Sequence, residues 1–296
     1  MEYEIINGSK KIRQLIESGG PFFVGRNGST EMEVLYWWYT HMGVRNPLPQ
    51  ALMDKLSKVS GIWPATQKSV ADWVTAYVAA LGSMDGVAAG WFQPLIEFEQ
   101  RLLNMSCPRA FRMPLRSLEP YYVEPENRWS AALEGKHVAI VSSFADTIQQ
   151  QVAKLHKPWT AIESPETLLP ASTTWLTVRS HYPPVIAKEG SCAWPEGVDN
   201  WNAAVNYLFQ KVLATGAKIA LVGCGALGVI LAARLKDHGV SVIVMGGAIQ
   251  VLFGIKGKRW RTHSVISTFW NSEWVLPSSD ETPGGAATIE GGCYWG

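Results

Sequence analysis

Residues 218–246 read KIALVGCGALGVILAARLKDHGVSVIVMG, and their reading decides the fold. KIALVG (218–223) is a short apolar run of the kind that forms a buried strand. Gly223, Gly225 and Gly228 follow at the spacing G-x-G-x-x-G, helical periodicity then runs through His238, and Gly239 closes it. SVIVMG (241–246) is a second buried strand. Strand, glycine turn, helix and strand make one β-α-β unit. The same glycine spacing is the dinucleotide fingerprint, in which backbone approaches a pyrophosphate at a helix start.

The pattern repeats outward. PFFVGR (21–26), KHVAIVSS (136–143) and TTWLTVRS (173–180) read as further strands. A helix is expected from 31 to about 42, with Met32, Leu35, Tyr36 and Tyr39 on one face. Another is expected over 145–156, with Ile148, Val152 and Leu155 inward and Pro158 as its stop. A third carries Trp201, Val205, Leu208 and Val212, with Asp199 or Asn200 at its start and Gly216 at its end. Such alternation implies an α/β, Rossmann-like, mostly parallel sheet with helices on both faces. Residues 44–122 hold helical stretches at 70–81 and 94–103 and no clear strand, so they read as a helical insertion within one domain spanning 1–296.

Composition narrows the function classes. The net charge of +1 over 296 residues gives no basic excess for nucleic acid. Cys107, Cys192, Cys224 and Cys293 stand far apart, which argues against a zinc ribbon and for a reducing compartment. The histidines lack H-x-x-x-H spacing, and no G-x-S-x-G elbow exists. The first residues, MEYEIINGSKKIRQL, have no signal-peptide character, and no apolar run is long enough to span a bilayer. The expectation is a soluble cytoplasmic protein with no transmembrane segment.

Open parallel sheets bind ligands outside the carboxyl ends of their strands. Those ends here carry NGST, SSFAD, GCGALG and GGAIQ, so these loops should share one rim. A nicotinamide cofactor would need an acidic residue at the end of the strand after the glycine loop. Val244-Met245-Gly246-Gly247 supplies none, and Asp237 lies in the preceding helix. Lys256, Lys258, Arg259 and Arg261 follow, either as a solvated basic turn or as a clamp for a diphosphate. In GRNGSTEME (25–33), Thr30 and Glu33 fit a capping box, which leaves Glu31 at the first helical position free to act as a base or metal ligand. Arg26 would clamp phosphate or pair with Glu31. Asp146 is the second candidate base, although Ser143 and Asp146 also fit an ordinary helix start. Cys224 reads as a small packed residue or as a reactive thiol. After a flexible PSSDETPGG stretch (277–285), the acidic and aromatic tail IEGGCYWG (289–296) has a composition that ordinarily frays.

FFVGRNGSTE (22–31), CGALG (224–228), GGAIQVLFGIKGKRW (246–260) and IEGGCYW (289–295) resemble a family of bacterial and viral proteins associated with polysaccharide synthesis. That family is similar to glycosyltransferases of the GT-D fold, whose first strand ends in R-x-G-D-G-E with metal-binding and catalytic carboxylates. The resemblance implies catalytic roles for Arg26 and Glu31, on the matching Arg and Glu, with Gly28 on the Gly. The metal-binding Asp falls on Ser29, which weakens any dependence on manganese or magnesium. The match of the ending implies that the tail folds back, with Glu290, Tyr294 and Trp295 closing the pocket; a nucleoside-diphosphate sugar would be the donor and a glycan or lipid-linked molecule the acceptor. Donor contacts fall to Gly28, Ser29, Gly223, Cys224, Gly225, Gly228, Gly246, Gly247, Gln250, Lys256, Lys258, Arg259, Glu290 and Tyr294. The competing readings are an NAD(P)-dependent oxidoreductase and a non-catalytic nucleotide- or glycan-binding module.

Overall fold

Along β4 (His137–Ser142), Val138 and Ile140 enter one apolar layer while Ala139 and Val141 enter the other. β6 (Ile219–Gly223) and β7 (Ser241–Val244) alternate in the same way, with Leu221 and Ile243 on one face and Val222 and Val244 on the opposite one. A strand with both faces apolar must be covered on both sides, and a parallel sheet with flanking helices does that. The structure, a computed structural model, describes residues 2–41, 46–188 and 190–296. It holds a seven-stranded, all-parallel sheet in the order β3-β2-β1-β7-β6-β4-β5. The remaining strands are β1 (Phe23–Arg26), β2 (Gly86–Ala88), β3 (Phe111–Met113) and β5 (Thr174–Arg179). The fold is α/β and Rossmann-like.

The helices are α1 (Glu2–Ser18), α2 (Ser29–Thr40), α3 (Gln50–Ser60), α4 (Gln67–Leu81), α5 (Ile96–Ser106), α6 (Ala145–Val152), α7 (Pro184–Ala187), α8 (Trp201–Ala214), α9 (Leu227–Asp237) and α10 (Ala248–Leu252). The α4, α8 and α9 helices bury Trp73, Leu208 and Leu231 in one layer. On the other face, α1 brings Ile12 and Ile16 against Trp129. Asn200 caps α8 by accepting from the Ala203 amide at 2.9 Å, and Gly216 (φ +69) follows its end, as the sequence predicts. The expected end of the second helix near 42 lies outside the described residues. The helix expected over 145–156 is regular only to Val152.

The insertion carries the expected helices, α4 and α5, but it is not free of strands. Residues 44–122 supply β2 and β3, which extend the sheet beyond β1. Both are three residues long, too short for a period to show. Gly86 in β2 is tightly enclosed, since a Cβ there would stand 2.3 Å from the Phe111 ring and 2.5 Å from Val24.

Residues 253–296 form turns rather than regular elements, yet they are anchored. The indole of Trp274 donates to the Pro158 carbonyl at 2.7 Å, and Trp295 is buried beside Phe144. Among the described residues no helix is long and apolar enough to cross a membrane.

Candidate functional site

The strand registers place the carboxyl ends nearly level: Ser142 pairs with Gly223 and Arg179, and Val222 with Val244. A cavity of about 330 Å³ opens along this edge. Gly28, Ser29 and Thr30 line it after β1, Ser143 and Phe144 after β4, Gly223, Cys224 and Gly225 after β6, and Gly246, Gly247 and Gln250 after β7. The loops expected to share a rim do share one. His181 and Tyr182, after β5, complete that wall.

The first loop is held from beneath. Asn27 is fully buried; its amide nitrogen donates to Glu99 at 3.0 Å, and its oxygen accepts from the Tyr77 hydroxyl at 2.9 Å. Glu99 also accepts from the Gly90 amide at 2.8 Å. This network fixes the two neighbours of Asn27, Arg26 and Gly28. The Arg26 guanidinium lies 4.3 Å from the centre of the Trp91 ring, and its Nε donates to the Asn27 carbonyl at 3.0 Å. A cation over an indole face is an attractive arrangement that leaves the other donors available.

Glu31 is 5% exposed and lies on the cavity wall. Its carboxyl bends back over the Cα of Gly28, where a Cβ would stand 1.9 Å from Oε2. Any larger residue at 28 would displace it. Burial raises the Glu31 pKa above the ordinary carboxylate value. Its own backbone amide, the charge of Arg26 and the Ser60 hydroxyl oppose that shift, while Glu290 adds to it.

Three local expectations are corrected here. The helix begins at Ser29 with Gly28 as its cap and no side-chain cap bond, so Glu31 is the third helical residue and the Thr30/Glu33 capping box does not form. Glu33 instead pairs with Lys55 on α3 at 2.5 Å. Arg26 makes no ion pair with Glu31 among the described residues; it acts on it through charge at longer range.

The glycine loop also departs from the fingerprint. Gly225 has φ +59, and a Cβ on it would stand 2.6 Å from the Ser60 carbonyl at the end of α3. The Ala226 amide donates to that same carbonyl at 2.9 Å. The close approach that glycine permits is therefore taken by protein backbone. A Cβ on Gly223 would likewise stand 2.6 Å from the Gly246 carbonyl oxygen. Gly228 does not line the cavity; it packs α9 on Val222 and Val244. Cys224 lines the cavity half-exposed, and desolvation pushes its thiol up to about 12, which keeps it protonated and a poor nucleophile.

The basic stretch divides. Arg259 lines the cavity, stacked on Tyr294 at 4.6 Å, hydrogen-bonded to its hydroxyl at 3.1 Å and paired with Glu290. Lys256, Lys258 and Arg261 face a different recess, so the first two do not serve the donor cavity as expected. Lys58, near the end of α3, supplies a cation that the sequence reading missed; no motif marks it.

Gln250 is 1% exposed, and its Nε2 donates to the carbonyls of Lys256 (2.8 Å) and Tyr294 (2.7 Å). It clamps the strap of residues 256–261 to the tail. Its Oε1 is buried and has no partner among the described residues. The Nε1 of Trp91 and Nδ1 of His181, both lining residues, are likewise buried and unpartnered. Buried polar atoms of this kind are costly, and three residues that line one cavity each carry one.

Asp146 lies outside this wall. It is exposed and paired with Arg179 at 2.9 Å. Ser143 does not cap α6 either. The capping group is Glu281, fully buried, which accepts from the amides of Asp146 (2.7 Å) and Thr147 (3.3 Å) and from the Thr147 hydroxyl. The stretch 277–285, expected to be flexible, is thus pinned by a buried carboxylate.

A divalent metal fits this donor set poorly. Among the described residues no three His, Cys, Asp or Glu side chains come together to hold an ion, and Ser29 offers only a neutral oxygen beside Glu31.

No family model matches the chain, and no curated protein matches it in sequence. Two solved structures are similar to it. One, described as "The highly conserved domain of unknown function 1792 has a distinct glycosyltransferase fold", is 13% identical with a TM-score of 0.41, covering 95% of this chain and 96% of that one. The other, a selenomethionine-substituted structure of domain of unknown function 1792, is 14% identical with a TM-score of 0.38 and the same coverage.

Proposed function

We propose that the protein is a glycosyltransferase that moves a sugar from a nucleoside-diphosphate donor to a hydroxyl of a glycan or lipid-linked acceptor. The observation that carries this reading is the meeting of Glu31, raised in pKa by burial, with Arg26, Lys58 and Arg259 in one cavity. A basic carboxylate and separate cations are what glycosyl transfer needs. The Glu31 carboxylate takes the proton of the acceptor hydroxyl as its oxygen attacks the anomeric carbon. The bond from that carbon to the diphosphate oxygen breaks, and the electron pair leaves with the diphosphate. Arg26, Lys58 and Arg259 stabilise the charge that grows on it. No step runs through a metal.

The oxidoreductase reading loses support at two points. No carboxylate follows Val244, and the Ser60 carbonyl fills the approach at Gly225. A cytoplasmic site of action agrees with the thiols and belongs to the same proposal.

The test is calorimetry with UDP, GDP and NADH, followed by an assay for nucleoside diphosphate released from sugar nucleotides. Binding of a diphosphate with turnover supports the enzyme. Binding with no turnover on any donor and acceptor leaves the binding module, and tight NADH binding overturns the proposal.

A further inference from the structure

The strap 256–261 carries four cations, and three of them are not used by the cavity described above. Lys256, Lys258 and Arg261 line a second recess of about 240 Å³ together with Trp270, Trp274 and Leu276. None of the three cations is within ion-pair distance of a carboxylate among the described residues. The Lys258 ammonium meets only the Gly291 carbonyl, at a long 3.5 Å. Lys256 lies 5.7 Å from the centre of the Trp270 ring, and the buried Nε1 of that half-exposed indole has no acceptor. Trp274, by contrast, is fully accounted for by its bond to Pro158.

Like charges gathered with no carboxylate within ion-pair distance repel, and an anionic ligand would relieve that repulsion. We infer that the recess is a binding site for a sugar ring that carries an anionic group, either a carboxylate or a phosphate. The cations of Lys256, Lys258 and Arg261 would hold the anion. The half-exposed Trp270 ring would lie along the apolar face of the sugar. The volume suits one sugar unit, being below the ~300–1,000 Å³ of pockets for larger ligands. This site does not rest on the chemistry proposed for the first cavity.

The experiment is titration of the whole chain, followed by tryptophan fluorescence and calorimetry, with trigalacturonic acid, glucose 6-phosphate, maltotriose and inorganic phosphate. The expected result is binding of one or both acidic sugars, with maltotriose and phosphate at least about tenfold weaker, since charge and ring must both be present. The two acidic ligands tell carboxylate from phosphate. The double variant Lys256→Gln/Arg261→Gln should lose at least about tenfold in affinity for the acidic sugar while still binding UDP as the parent does. Trp270→Phe should weaken binding and abolish most of the fluorescence change. Equal binding of inorganic phosphate and acidic sugar overturns the sugar assignment. Binding that survives the double variant but is lost in Arg26→Gln places the ligand in the first cavity and overturns the second site, as does no binding of either acidic sugar.

Discussion

The carbonyl of Ser60 lies 2.6 Å from the point where a Cβ on Gly225 would stand, so the end of α3 rests on the glycine loop. The fingerprint glycine is consumed by an internal contact. Gly225→Ala therefore incurs two costs, a side chain at φ +59 and a collision with backbone. Gly239→Ala, at φ +79 with nothing within 4 Å, incurs only the first. In urea unfolding Gly239→Ala should lose about 1 kcal/mol and Gly225→Ala clearly more. Equal losses would show that α3 gives way at no cost.

Glu31→Gln keeps the shape of the side chain and removes its basicity. Transfer should fall at least about a hundredfold, the usual worth of a positioned base. Because burial raises the Glu31 pKa, its charged form opposes folding, and that penalty grows as pH rises through the folded pKa. The variant should thus be no less stable than the parent at pH 8. Parent-like transfer rates in Glu31→Gln would remove Glu31 from the mechanism.

Glu281 is a buried carboxylate that satisfies three donors at the start of α6. Glu281→Ala leaves them unpaired, and each charge-assisted bond is worth about 1.5–3 kcal/mol. A loss of about 3 kcal/mol or more in urea unfolding is expected, with faster proteolysis after residue 277. A loss below 1 kcal/mol would mean that the tail is held by its tryptophans alone.

Burial raises the Glu119 carboxyl from 4.5 to about 7, against the opposing charges of Arg26 and Arg116. A folded pKa above the unfolded one stabilises most below pH 4.5, and that contribution is lost as pH rises to 7. Between those values the parent should lose stability relative to Glu119→Gln. Parallel stability curves for the two proteins would refute the shift.

The sequence by itself determined the sheet's central strands and the rim. KIALVG, SVIVMG and KHVAIVSS are apolar on both faces, so they had to be covered on both sides, and their small-residue ends had to meet along one edge. Gly28 and Glu31 could be placed near the site because they follow the end of β1, and Arg259 because its basic stretch follows the loop after SVIVMG. Tertiary structure decided the rest. β2 and β3 form because β1 offers an open edge to three-residue segments that carry no period of their own. Lys58 and Ser60 reach the cavity only because α3 docks on Gly225, 165 residues away along the chain. Lys256 and Lys258 line the other recess because the strap runs extended through Gly257, packed between the Trp260 ring and the Cys293 carbonyl of the tail. Local pattern reports which face of an element is apolar; it does not report which distant backbone will press against it. That choice is made by packing, and here packing turned a nucleotide-style glycine loop into the seat of a helix.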